Sequence, residues 1–258
     1  MIKNPHLEGD SFTWEGGPTG VLLVHGLTAT TAEVRPLARY LYGHSYTVAG
    51  PLLPGHNTTP EDANRFRWRD WVRCVEVAYR QLAARCSRVV AGGESAGALL
   101  ALYLASEHPE IAAVLSYAPA LRLSLPRRDV AVLHLFAPFK PYLAKPPRAN
   151  SVSSGGDQLW RGYPVAPLKA TLELLRLQRV VRARLPRVQQ PLLVIQGRRD
   201  PTVHPSAPET VYREVGSVVK ELHWFDRSAH KVILDDERNE VFALTLAFIE
   251  RALPHSRG

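Results

Sequence analysis

Five residues constrain this chain more than any others: Gly93, Glu94, Ser95, Ala96 and Gly97, reading GESAG. They stand between a short apolar run, Arg88 to Gly92 (RVVAG), and a helix-compatible run, Ala98 to Ser106. The pattern predicts a strand, a sharp turn and a helix, with a serine at the apex. A serine hydroxyl is a poor nucleophile at neutral pH, so it must be held clear of its own backbone, beside a base and beside donors for an oxyanion. A tight strand-to-helix turn does this. It brings strand and helix so close that side chains at Gly93 and Gly97 would clash. The turn also sets Ser95 at the positive end of the following helix, where the Ala96 N–H can meet a developing negative charge.

Around this turn the chain alternates strand and helix. Residues 10–15 (DSFTWE) and 20–25 (GVLLVH) read as an edge strand followed by a buried one. The buried strand runs into His25, Gly26, Leu27 and Thr28. An HG pair there lets the loop bend beneath the serine and aim the Leu27 N–H at a substrate oxygen, while His25 orders the loop. Apolar residues at Val34, Leu37, Ala38 and Leu41 predict a helix ending at Gly43. Further strands are expected over 47–53, 111–117, 191–197 and 219–225, and further helices over 68–86, 206–215 and 235–253. His56, in the PGHN turn, reads as structural. Alternation with near-continuous apolar strands predicts an α/β fold, a mostly parallel sheet covered by helices on both faces.

From Leu121 to Val188 the rhythm breaks. The segment holds eight prolines and one clear helix, Pro167 to Leu185. It is too long for a loop and is expected to be an inserted, mainly helical cap on a core made of 1–120 and 189–258.

Parallel sheets collect their chemistry at the carboxyl ends of strands. Asp200 follows the PLLVIQG strand by three residues, and His230 follows the next strand by five. Ser95, Asp200 and His230 are therefore the expected catalytic set, in the chain order that a GxSxG hydrolase requires. Asp226, Asp235, Asp236 and His204 are the rivals for the acid and the base. Glu94 reads as structural, turned away from the substrate.

VLLVHGLT, PLLPGHN, the GESAG elbow, VIQGRRDPTVHP and SAHKVILDDERNEV together make the chain resemble the bacterial carboxylesterases and monoacylglycerol lipase-like members of the α/β-hydrolase superfamily. The resemblance implies an α/β-hydrolase fold with Ser95 as nucleophile, Asp200 and His230 as its partners, backbone N–H groups of Leu27 and Ala96 as oxyanion donors, and 121–188 as a lid. It departs from these esterases at Glu94, where they often show a hydrophobic residue. The expected activity is hydrolysis of short- to medium-chain acyl esters, with monoacylglycerols as one candidate class. An acyl thioesterase, another acyl-transfer hydrolase or a non-catalytic binder on the same fold are the alternatives. No cofactor and no metal are expected.

With 45% hydrophobic and 22% charged residues, the composition is that of a globular protein. No run approaches the roughly 18 apolar residues of a membrane span, and the start, MIKNPHLEGDS, has no apolar signal core, so a cytoplasmic location is expected. Cys74 and Cys86, twelve residues apart on one predicted helix, lie about 18 Å apart and cannot bridge. The net charge of +8 is uneven: residues 121–187 carry thirteen Lys or Arg against three Asp or Glu, leaving −2 for the rest. Leu168, Leu172, Leu175 and Val181 are expected on one face of the cap helix, and Lys169, Arg176, Arg179 and Arg182 on another. A solvated basic face is the plain reading, and weak contact with anionic membrane surfaces the sharper one. No nucleic-acid recognition module is recognisable.

Overall fold

A computed structural model of the protein describes residues 2–145 and 156–253; residues 146–155 of the expected cap insertion and the last residues, 254–258, lie outside it. The first half comprises β1 (Phe12–Trp14), β2 (Thr19–Val24), α1 (Arg35–Gly43), β3 (Thr47–Gly50), α2 (Pro60–Ala63), α3 (Trp68–Ala83), β4 (Arg88–Glu94), α4 (Ala96–Glu107) and β5 (Ala113–Tyr117). After it come α5 (Arg127–Phe136), β6 (Tyr142–Ala144), α6 (Gly156–Leu159), β7 (Val165–Pro167) and α7 (Leu168–Arg184). The chain then resumes with β8 (Leu192–Gly197), α8 (Ser206–Glu214), β9 (Lys220–Phe225) and α9 (Arg238–Ala252).

Seven strands form one sheet in the order β1-β3-β2-β4-β5-β8-β9. All its pairings are parallel except β1 with β3. Both faces are dry. Leu22, Val24, Val89, Ala91, Val114, Leu192 and Val194 enter a core shared with α3, α4, α7 and α8. Their neighbours Val21, Leu23, Val90, Ala113, Leu115, Leu193 and Ile195 enter the core under α1 and α9. Period-two side-chain alternation, with both faces covered, explains why these strands read as unbroken apolar runs.

Helix α4 is built for the centre of the molecule. Every residue from Ala96 to Ser106 except Tyr103 is buried, so its small and apolar sequence has no polar face to offer water. The strand order reverses around β2, with β3 on one side and β4 on the other. Ligands of open parallel sheets bind at such a switch point, beyond the strand carboxyl ends. In the β2–β4 pairing Val24 stands opposite Gly93. The loops that follow these two strands, His25 to Thr28 and Glu94 to Ala96, are therefore neighbours.

The segment 121–188 differs from the sequence pattern in two ways. Besides α7 it contains α5, the short α6 and a two-stranded antiparallel sheet of β6 and β7. Helix α5 escaped the periodicity reading because it has little buried face: Leu133 and Ala137 are covered, while Val132, Leu135 and Phe136 are exposed. The second difference is the orientation of α7. Its core stripe is Ala170, Leu174, Leu177 and Val181, packed with residues of α3 and α4. Leu168, Leu172 and Leu175 instead meet Leu133 and Ala137 of the α5 region. The helix has two apolar sides because it is covered from two directions.

The close approach at the elbow makes a specific expectation. A Cβ on Gly97 would lie 2.0 Å from the Val24 carbonyl oxygen, whereas one on Gly43 meets nothing within 4 Å. Gly97→Ala should lower stability by about 3 kcal/mol or more. Gly43→Ala, at the exposed end of α1, should be neutral or stabilising by up to about 1 kcal/mol. Urea unfolding midpoints of the two variants check both.

Candidate active site

Ser95 leaves β4 at φ +59° and ψ −112°. A non-glycine residue pays about 1–3 kcal/mol for such a conformation and keeps it only where neighbours enforce it. They do so here through the backbone. The Ser95 N–H donates to the Tyr117 carbonyl at 2.9 Å, and the Ser95 carbonyl accepts from the Ala120 N–H at 3.2 Å. On either side, a Cβ on Gly93 would sit 2.5 Å from the Val24 oxygen and from the Gly97 carbonyl carbon. No side chain fits between β2, β4 and the first turn of α4.

The structure brings Ser95, His230 and Asp200 into one hydrogen-bonded line. His230 Nε2 is 3.0 Å from Ser95 Oγ, and its Nδ1 is 2.8 Å from Asp200 Oδ2. The carboxylate only accepts, so Nδ1 carries the proton and Nε2 is left to accept from the serine hydroxyl. Asp200 is clamped by four donors. Oδ1 takes the Thr202 and Val203 N–H groups at 2.7 and 3.1 Å, while Oδ2 takes the Gln196 amide at 2.8 Å as well as His230. Burial by itself would raise this carboxyl, but the facing His230 and these N–H donors outweigh it and hold Asp200 below the ordinary carboxylate range.

Each rival has a different occupation. Asp226 pairs with Arg198 at 2.7 Å. Asp235 accepts from the Ala229 N–H at 2.7 Å and so shapes the loop of His230 from below. Asp236 is exposed. His204 Nδ1 lies 2.8 Å from Ser206 Oγ and accepts the Ser206 N–H at 3.2 Å, so it is engaged at the start of α8.

The loop after β2 is held through buried side chains. His25 Nδ1 donates to the Gly26 carbonyl at 2.9 Å, and its Nε2 accepts from the Leu53 N–H at 3.1 Å. Burial, with His56 beside it, lowers its pKa to about 3, so it stays neutral. This is the loop-ordering role that its place in the HG pair implied. The Gly26 N–H donates to Glu33 Oε2 at 2.6 Å, and the Ala29 N–H donates to the Gly26 carbonyl at 3.2 Å. Among the described residues, no acceptor takes the N–H of Leu27 or of Ala96. Two donors next to a serine hydroxyl, on loops that the β2–β4 pairing makes adjacent, are what a developing oxyanion needs. The segment 121–188 reaches this loop too, since Lys145 Nζ donates to Thr28 Oγ1 at 2.7 Å and the Tyr163 N–H donates to the Thr28 carbonyl at 2.8 Å.

Two contributors were not picked out from sequence. Gln196 had a signal, a lone amide at the end of an apolar strand four residues before Asp200. Glu33 had only a weak one, a charge beside an apolar helical stripe. Its partner, Gly26, is fixed by tertiary structure.

Comparison with known proteins finds relatives along nearly the whole chain. At 32% identity, spanning 96% of this chain and 97% of the relative, the chain is similar to a thermostable monoacylglycerol lipase of Bacillus sp. (strain H-257). It is 30% identical to a carboxylesterase of Bacillus subtilis (strain 168), across 93% and 96% of the two chains. Among solved structures, one from the metagenome-derived lipolytic enzymes LipS and LipT superposes with a TM-score of 0.87 at 33% identity, covering 95% of this chain and 99% of that one. A monoacylglycerol lipase of Paleococcus ferrophilus shares the fold with a TM-score of 0.79 at 20% identity, covering 97% and 100%. The family model described as serine aminopeptidase, S33, matches residues 19–237, and the chain, an α/β hydrolase in fold, belongs to that family.

Proposed function

We propose that this protein is a serine carboxylic-ester hydrolase in which Ser95 is the nucleophile, His230 the base and Asp200 the group that orients the base. The observation that carries this reading is the unbroken line of hydrogen bonds from Ser95 Oγ through His230 to Asp200. Ser95 Oγ attacks the ester carbonyl while its proton passes to His230 Nε2, and the oxyanion that forms is met by the N–H groups of Leu27 and Ala96. The carbon–oxygen bond then breaks and the leaving alcohol takes the proton from Nε2. Water enters, gives its proton to Nε2 and attacks the acyl-enzyme, and Ser95 recovers its proton as the acid leaves. Asp200, already ionised, stabilises the imidazolium of both steps. The mechanism uses no cofactor.

The family's description names an aminopeptidase, but relatives at 30% and 32% identity are named for esters. Short- to medium-chain acyl esters, monoacylglycerols among them, are therefore the proposed substrates. Residues 121–188 are proposed as the cap, with α7 as the base that fixes it to the core. A cytoplasmic location is proposed as well; separately, among the described residues no helix is long and apolar enough to cross a membrane.

A weak surface contact through the cap is also proposed, on one observation. Leu125, Val132, Leu135, Phe136, Phe139, Tyr142 and Leu143 are all exposed in the α5 region, Phe139 to 85%. The basic side of α7 supports this contact less, because several of its arginines face acids: Arg176 pairs with Glu173, Arg182 with Glu214 at 3.2 Å, and Arg184 with Glu107 at 3.2 Å.

Turnover of a p-nitrophenyl acyl series checks the chemistry. Ser95→Ala and His230→Ala should lower kcat by on the order of 10⁴, whereas His204→Ala should stay within about threefold of wild type. Equal damage from His204→Ala would reassign the base. The base must be neutral to accept the serine proton, so kcat/KM should rise from acid toward neutral pH. Sedimentation with lipid vesicles checks the surface contact: binding should favour anionic over zwitterionic vesicles and weaken in ~0.5 M salt. Leu135→Asp with Phe139→Asp should weaken it more than replacing Arg176, Arg179 and Arg182 by Gln, with turnover of a soluble short ester unchanged. Equal binding to both vesicle types would remove the electrostatic part of the proposal.

A further inference from the structure

Beneath Ser95 lie two glutamates that the proposed chemistry leaves unused. Glu33 is 4% exposed and Glu94 is fully buried. Glu33 Oε2 accepts the Gly26 N–H at 2.6 Å, and the Trp160 side chain lies toward the same carboxyl. Glu94 Oε1 is approached by the Ile233 N–H at 3.5 Å, with the Val232 N–H directed at the same carboxyl. Its Oε2 has no hydrogen-bond partner among the described residues. Between the two runs the backbone of Gly26, where a Cβ would stand 3.2 Å from Glu33 Oε2, 3.2 Å from Ser95 Cβ and 3.4 Å from the Glu94 carbonyl oxygen. The two carboxyl groups thus bracket the oxyanion loop, the elbow and the loop that carries His230.

The charged and titratable groups around them are few. Glu33 faces His230 and Lys231, and Glu94 faces Glu33 itself, Lys231 and the phenol of Tyr117 on β5. Lys231 is the one permanent cation of this set, and it is already bound to Asp157 at 2.5 Å. Two carboxylates in so dry a place, with so little opposing charge, cannot both stay ionised. Burial drives both upward, and the charge on Glu33 pushes Glu94 further, well above the ordinary carboxylate range. The surroundings say which of the two keeps the proton. Glu33 accepts a close hydrogen bond from the Gly26 N–H at 2.6 Å and lies toward Lys231, both of which favour an anion, whereas the Ile233 N–H stands 3.5 Å from Glu94. Glu94 has a bare buried oxygen, the costliest position for one.

We propose that the pair holds one proton, on Glu94, and one charge, on Glu33, and that in this state it positions the active site from below. Glu33 clamps the Gly26 N–H so that the next peptide N–H, that of Leu27, is free for the acyl oxygen. Glu94 anchors the backbone immediately after His230. Neither touches the substrate, so both are positioning residues, and this inference rests on the ester-hydrolase reading above. It also gives the glutamate in GESAG a role.

A pair of this kind titrates as a unit. Carboxyl groups whose pKa is raised by folding bind protons more tightly than in the unfolded chain. Their contribution to stability is complete below the unfolded value of ~4.3 and is lost as pH rises through the folded value. Loss of the shared proton would set two like charges against each other under Ser95.

Infrared spectroscopy at pH 7 tests the protonation state without reference to activity. The wild type and Ser95→Ala should both show the carbonyl stretch of a buried protonated carboxylic acid, and Glu94→Gln should lack it. Kinetics test the positioning. Glu33→Gln should lower kcat about tenfold or more with KM within about twofold, while Glu94→Gln, which mimics the neutral acid, should retain a clearly larger share of kcat. Between pH 5 and pH 9 the melting temperature of Glu94→Gln should fall less than that of the wild type. Absence of the band, its persistence in Glu94→Gln, or equal loss of kcat in the two Gln variants would overturn the proposal. Should Glu33→Gln fail to fold, Glu33→Asp takes its place, and the infrared result still decides. If Ser95→Ala keeps full esterase activity, the catalytic reading fails independently of the band.

Discussion

The structure depends on one backbone contact, the packing of the Val24 carbonyl against Gly93 and Gly97. It lets α4 start directly behind the sheet with no side chain in between, which turns the chain through Ser95 at a positive φ. The strain of about 1–3 kcal/mol at that residue is small beside the burial of α4, since each fully covered leucine contributes about 1.5–3 kcal/mol and Leu99, Leu100, Leu102 and Leu104 are all at or below 1% exposure. The helix therefore enforces the serine. Because β2 and β4 pair in register at Val24 and Gly93, the same contact sets the loop of Gly26 and Leu27 beside the elbow.

Loops at strand ends have no ladder to satisfy their backbone groups, so here buried side chains do it. His25 joins the Gly26 carbonyl to the Leu53 N–H. Asp200 gathers the N–H groups of its own turn before it meets His230. Asp235 and Glu237 hold the loop of His230 by accepting from Ala229, Arg227 and Ser228. Glu33 and Glu94 extend this pattern to the floor of the site. The polar interior is thus a set of local clamps, each fixing one of the loops whose mutual placement the sheet has already chosen.

The segment 121–188 follows a different logic. It concentrates the chain's basic excess, yet the arginines of α7 largely face acids, one on the same helix and others on the core. Its distinctive surface is the apolar one around α5, where large side chains face solvent. Surface charge on a well-packed helix and exposed apolar area on a thinly packed one have opposite consequences: the first is screened by salt, and the second persists.

Sequence by itself determined the alternating α/β frame, the elbow and the positions of Ser95, Asp200 and His230 in their separate loops. These are local facts: apolar runs of strand length, glycines where backbone must pass backbone, and polar residues just beyond strand ends. It also marked Asp226, Asp235, Asp236 and His204 as rivals without ranking them by contact, because a linear pattern places a residue on a loop but not its side chain against a partner. Only the tertiary structure decided that Asp200, among these carboxylates, meets His230, that α7 has two apolar sides, and that Glu33 lies under Gly26. Each of these depends on which elements the sheet order brings together. Hydrogen bonds and burial act at distances of a few ångströms, and that proximity, spanning 135 residues of chain between Ser95 and His230, exists only after the strands have paired.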